Sequence, residues 1–114
     1  MNCANSKART DEIARLNDAF RTSLTGGRVM VTQGVTALDR QTQADILLAV
    51  KTFTAFTADN DPHGEHDFGF VRVDGHDLFW KIDYYDPTLS HHTEDATNPN
   101  ATLRVLTIML TGEY

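Results

Sequence analysis

The chain contains one cysteine, three prolines and one tryptophan among 114 residues, and each scarcity excludes something. A lone Cys3 cannot close an internal disulfide, so a cross-linked scaffold is ruled out and a reducing compartment fits. Its position within residues 1 to 9, which read as a flexible lead, argues against a catalytic thiol. No apolar run approaches the roughly 18 residues that a membrane span needs. The opening "MNCANSKART" also lacks the apolar centre of a secretion signal. The expectation is a cytoplasmic protein with no membrane partner. There is no serine in a G-x-S-x-G elbow and no glycine-rich phosphate loop, because Gly26-Gly27 reads as a helix end. Nucleophilic and nucleotide-dependent chemistry lack their usual residues, and no cofactor is expected.

What is present is an ordinary globular composition, 40% hydrophobic and 23% charged. A chain of this length buries about two thirds of its unfolded surface and needs neither metal nor disulfide to fold. Residues 10 to 114 therefore read as a single domain. An excess of base is also missing: the formal net charge is -6, and it is unevenly placed. Residues 1 to 56 carry seven bases and five acids, whereas residues 57 to 100 carry ten acids against Arg72 and Lys81. All five histidines lie in that acidic segment, where nearby carboxylates favour their protonated forms. Such a field disfavours direct contact with a phosphate backbone and favours a basic protein or nucleoprotein partner.

Hydrophobic spacing gives the order of elements. Ile13, Leu16, Phe20 and Leu24 recur at helical intervals after Thr10, which is placed to cap, and Gly26-Gly27 would end that helix. "RVMVT" is a short strand, and Asp39 caps a second helix from Arg40 to Phe53 with Ile46, Leu47, Val50 and Phe53 inward. "FGFVRVDGHDLFWKIDYY" is two alternating runs around Asp74-Gly75, the dipeptide of a two-residue type I′ hairpin turn. That turn sets Val73 against His76, Arg72 against Asp77, Phe70 against Phe79 and Gly69 against Trp80, where the absent side chain leaves room for the indole. Val71, Leu78, Trp80, Ile82 and Tyr84 then share a core face. Phe68, Phe70, Phe79, Lys81, Asp83 and Tyr85 share the other, which is either covered by another element or a contact surface. "TLSHHTEDATNPN" is a long polar loop, and "TLRVLTIML" is a central strand with both faces buried. The sum is an α+β fold: two helices packed on a mainly antiparallel sheet of about four strands.

"GGRVMVT", "DNDPHGEHDFG", "FWKIDYYD" and the closing "RVLTIML" with "GEY", in that order over residues 10 to 114, resemble a bacterial family of short proteins catalogued only as a domain of unknown function. The resemblance implies no activity and gives no catalytic role to His63, Glu65 or His66. It implies an association with plasmids, phages and related mobile elements, where small acidic proteins antagonise nuclease or CRISPR systems.

The residues themselves leave two readings open. In the first, an acidic surface made of Asp59, Asp61, Glu65, Asp67, Asp77, Asp83 and Asp86, interleaved with Phe70, Phe79 and Tyr85, docks on a basic groove built for nucleic acid. An anti-CRISPR or anti-restriction inhibitor that mimics phosphate is its concrete form. In the second, His63, His66 and Asp83 hold a metal ion for hydrolysis with Glu65 as general base, because imidazole and carboxylate suit transition metals and the hairpin register puts His66 roughly opposite Asp83. The order H-G-E-H after Pro62 is not the helical zincin pattern, and a calcium loop is excluded by His63 and Phe70 at positions that require oxygen donors.

Overall fold

The computed structural model describes residues 3–114. Its elements are helix α1 (Cys3–Ser23), strand β1 (Arg28–Val31), a one-turn helix α2 (Gln33–Thr36), helix α3 (Arg40–Lys51), strands β2 (Phe68–Val73), β3 (His76–Tyr85) and β4 (Leu103–Leu110), and a 3-10 turn (Thr111–Glu113). The four strands form one sheet in the order β1-β4-β3-β2, with β1 parallel to β4 and the other pairs antiparallel. The α+β architecture is the expected one, two main helices on a four-stranded and mostly antiparallel sheet.

The hairpin register is as the turn dictates: Phe68 pairs Lys81, Gly69 pairs Trp80 and Val73 pairs His76. Asp74 and Gly75 both take positive φ, 52° and 82°, which is the requirement of a type I′ turn. Alternation then buries Val71, Val73, Leu78, Trp80, Ile82 and Tyr84 against the helices, joined by Ile13, Phe20, Ile46, Val50, Leu106 and Ile108. Strand β4 lies between β1 and β3. Its Val105 and Met109, on the face away from the helices, are buried as well.

Three local features differ from expectation. Helix α1 begins at Cys3, so residues 3 to 9 are helical and Thr10 is an interior residue rather than its cap. The Cys3 thiol belongs to side chains outside those described. The left-handed residue that ends α1 is Leu24, at φ 58°, whose N–H donates to Phe20 O at 2.7 Å. Gly27 instead permits a close approach, because a Cβ there would sit 2.5 Å from Arg104 O and 2.8 Å from the Phe20 ring. Helix α3 ends at Lys51, two residues before the expected Phe53, with Asp39 capping its start by accepting from Thr42 N at 2.7 Å.

Candidate functional site

The acidic loop that joins α3 to β2 is fastened to the helices from inside. Asn17, fully buried on α1, donates through Nδ2 to Glu65 O at 2.9 Å and to the Tyr84 hydroxyl at 2.7 Å. The Tyr84 hydroxyl donates to Glu65 Oε1 at 2.8 Å, and Arg104 Nε donates to Asn17 Oδ1 at 2.7 Å. Burial pushes the Tyr84 hydroxyl far above the usual tyrosine range, and burial also lowers the Arg104 guanidinium from its ordinary value. Beside this network, His66 Nδ1 lies 2.9 Å from Asp18 Oδ2 and its Nε2 lies 3.7 Å from Asp61 Oδ2. The His66 ring stacks on Phe56 with centroids 4.0 Å apart. Arg21 completes the clasp. Its guanidinium donates to Val50 O at 2.8 Å, capping the end of α3, bridges to Asp18 Oδ1 at 3.0 Å, and sits 5.1 Å over Trp80.

This geometry separates the residues of the metal reading. The hairpin register continued outward does bring residue 67 beside residue 82, with Ile82 N donating to Asp67 O at 2.8 Å. His66, however, takes φ 56°, a left-handed turn that directs its side chain to the helix side. Asp83 lies on the other face, 3.1 Å from Lys81 Nζ, while His63 is exposed. The expected convergence of His63, His66 and Asp83 does not occur. Glu65 is held by Tyr84, and both His66 nitrogens already face carboxylates. Among the described residues no group of three or more His, Cys, Asp and Glu side chains is placed to hold a metal ion.

The acids of the expected docking surface fall into two sets. Asp77 and Asp83 are on the sheet face away from the helices, and each has a cation beside it, Arg72 at 3.6 Å and Lys81 at 3.1 Å. Asp86 accepts from the Thr88 hydroxyl, from Ser90 N at 2.8 Å and from His91 N at 3.0 Å, and these bonds, Thr88 first, hold its carboxyl far below the usual range. It closes a turn rather than extending a rigid row of carboxylates. Asp61 is buried and accepts from His66 N. Asp67 is partly buried, and desolvation, then the neighbouring Glu65 charge, raises its pKa. Asp59 is exposed.

Topology nevertheless gathers charge at one end. Strand β2 starts, β3 ends and β4 starts at the same end of the sheet, so loops 57–67 and 86–102 lie together there. They contain Asp59, Asp61, Glu65, Asp67, Asp86, Glu94 and Asp95 with no lysine or arginine of their own, and Arg9 of α1 pairs with Asp95 at 3.0 Å. The second loop is an exposed crossing pinned by hydrogen bonds, among them Thr97 N to Asp95 Oδ1 at 3.0 Å and Thr93 Oγ1 to Ala101 O at 2.8 Å.

The other candidate surface is the face of the sheet that no helix covers. Phe68, Phe70 and Phe79 cluster there, with Phe79 centred 5.1 Å from Phe68 and 5.9 Å from Phe70, and Tyr114 packs edge-on at 5.4 Å from Phe79. Phe70 is 49% exposed and Met30 55%. Between them Lys81 and Thr107 border two shallow hollows of ≈ 360 and ≈ 390 Å³, the first walled by Met109 and Tyr114 and the second by Met30 and Tyr85. Arg28, Arg72 and Lys81 offset Asp77, Asp83 and Glu113 on this face, so it is aromatic and near neutral rather than acidic. Phe70 and Phe79 are thus brought together, whereas Tyr85 shares their face but lies farther along β3, beyond Lys81 and Asp83.

Asn17, Asp18, Arg21, Tyr84 and Arg104 do not stand out in the sequence by residue type. A signal exists: Asn17 and Arg21 stand at core-facing positions between Ile13, Phe20 and Leu24, and Arg104 interrupts an apolar strand. Polar residues at buried spacing require partners.

Residues 31–113 match the DUF3768 family, described as proteins of unknown function. The chain belongs to that family. Searches of curated proteins and of solved structures returned no match. No helix among the described residues is long and apolar enough to cross a membrane.

Proposed function

We propose that this DUF3768 protein is a non-enzymatic interaction protein that docks a basic, nucleic-acid-handling protein or nucleoprotein complex. The observation that carries the reading is the aromatic cluster of Phe68, Phe70, Phe79 and Tyr114 on the sheet face that no helix covers, an apolar patch of the kind that marks interaction sites, with Tyr85 farther along the same face beyond Lys81 and Asp83. The acidic end supports the choice of partner, since the two loops bear seven acids, of which Asp95 is paired with Arg9 at 3.0 Å, and the remaining excess of acid creates a field that steers a basic surface and repels a phosphate backbone. In this arrangement Phe70, Phe79 and Tyr85 supply contact area, while Asp59, Glu94 and their neighbours supply on-rate and specificity. Asp77 and Asp83 contribute less, because Arg72 and Lys81 offset them. An inhibitor of a CRISPR or restriction complex carried by a mobile element is the concrete form, and it rests on the sequence resemblance.

The test is capture from bacterial cytoplasm at low and moderate salt, comparing wild type with Phe70→Ser and with Asp59→Lys/Glu94→Lys. The expected result is one basic nucleic-acid-binding complex retained by wild type, lost from Phe70→Ser at both salts, and weakened for the charge variant as salt rises. Equal retention by all three proteins, or none by wild type, refutes the reading.

A further inference from the structure

Strand β1 is an edge strand protected only by its shortness and by Arg28. Its four residues, Arg28–Val31, are all exposed, and after Arg28 it offers only Val29, Met30 and Val31, with no lysine, proline or bulge to block pairing. The phase of its ladder is fixed by Thr32 N, which donates to Ile108 O at 3.1 Å, in the parallel register that sets Val31 beside Ile108. In such a ladder alternate residues bond inward, so Arg28, Met30 and Thr32 bond β4. Val29 and Val31 turn both N–H and C=O outward, and among the described residues nothing accepts or donates to them.

We propose that two copies of this chain join antiparallel through β1, about a two-fold axis at Met30, to form one continuous eight-stranded sheet. The outward groups fit that register: Val29 exchanges two hydrogen bonds with Val31 of the second copy, and Val31 with its Val29, four in all. Met30 then meets its own copy as the close, non-hydrogen-bonded pair, which covers the most exposed apolar side chain of the strand. The same register carries Arg28 across to Thr32 of the second copy. Thr32 Oγ1 donates to Glu113 Oε1 at 2.6 Å. The Arg28 guanidinium, which makes no ion pair among the described residues of its own chain, therefore arrives beside the Glu113 carboxylate, and symmetry makes two such pairs. This charge complementarity selects a second copy over an unrelated strand. The opposite edge, β2, has no such self-complement: its exposed face carries Phe70 and Arg72, and α3 packs along it. A seam of four residues is smaller than the roughly 1,600 Å² of standard interfaces, so the dimer is concentration-dependent, in the micromolar range. It places two open aromatic faces side by side.

Sedimentation equilibrium from low micromolar to millimolar protein tests the association, and a cysteine scan tests the register. In a Cys3→Ser background, Met30→Cys should oxidise to a covalent dimer, because non-hydrogen-bonded partners have Cα atoms about 4.5 Å apart, within disulfide reach. Val29→Cys, which faces Val31, and Phe70→Cys on the far edge should not. Val29→Pro deletes an outward N–H and no bond to β4, and it should weaken the dimer at least about tenfold, as should Arg28→Glu. In the unmodified chain, exchange of the Val29 and Val31 amides should slow as concentration rises. A wild-type chain that stays monomeric throughout, a dimer that Val29→Pro leaves intact, or Met30→Cys that fails to cross-link overturns the proposal. Monomeric Val29→Pro keeps its open face, so partner capture by that variant separates this outcome from failure of the docking reading.

Discussion

Gly69→Ala is the sharpest test of how the hairpin meets the core. A Cβ on Gly69 would lie 2.3 Å from Trp80 Nε1, 2.6 Å from Cε2 and 2.8 Å from Cζ2. The indole has nowhere to go: Trp80 is fully buried, Phe53 and Phe56 abut it edge-on at 5.5 and 6.1 Å, and the Arg21 guanidinium covers its face. Overpacking of that kind costs about 1–3 kcal/mol. Against it stands the smaller entropy of an unfolded alanine, about 0.4–1 kcal/mol in favour of the variant. Gly69 is not at positive φ, so no backbone strain adds to the balance. The net expectation is a loss of about 1–2 kcal/mol, or about 4–8 °C in Tm for a domain near this size. Urea unfolding followed by the fluorescence of the sole tryptophan measures the loss and reports the displaced ring. Trp80→Phe in the Gly69→Ala background should recover part of it, read by circular dichroism as a coupling above about 0.5 kcal/mol. Gly75→Ala, at φ 82° with no atom within 4 Å, should lose stability through backbone strain alone and show no such coupling. A Gly69→Ala protein as stable as wild type, with unchanged emission, refutes the steric account.

The buried network predicts a ranking by chemical denaturation. Asn17→Ala, which orphans Arg104 Nε and a Tyr84 contact, should cost about 2–3 kcal/mol, more than the loss of about 1–2 kcal/mol expected for Tyr84→Phe. Glu113 accepts from Thr32 Oγ1, Leu110 N and Gly34 N, and these bonds lower its pKa. Its contribution is therefore present above the ordinary glutamate pKa and is lost as pH falls through the folded value. The stability curves of wild type and Glu113→Gln should separate at neutral pH and converge in acid. Asp67 has the opposite sign, because burial and Glu65 raise its pKa and penalise its ionised form. Asp67→Asn should accordingly stabilise at neutral pH, with the gain fading as the pH falls into the range where the wild-type carboxyl is protonated.

What the sequence determined by itself was local. The alternation of "FGFVRVDGHDLFWKIDYY" and the positive φ demanded by Asp74-Gly75 are properties of neighbouring residues, so register, the Gly69 opposite Trp80 and the two faces of the hairpin were legible. The caps were partly legible for the same reason: Asp39 needs only Thr42 three residues on, whereas Leu24 takes the left-handed position because the chain must turn into β1. Tertiary structure decided the rest. His66 departs from the extended register at φ 56° to meet Asp18, 48 residues away, which removes it from Asp83 and dissolves the metal triad. The acids looked equivalent in the sequence, but Arg72, Lys81 and the Asp86 turn occupy three of them and Arg9 pairs with Asp95, and only strand order brings loops 57–67 and 86–102 to one end. The parallel placement of β1 at an open edge was likewise invisible to periodicity, because a strand's own residues set which way they face but not which neighbour, or whether any neighbour, completes their hydrogen bonds.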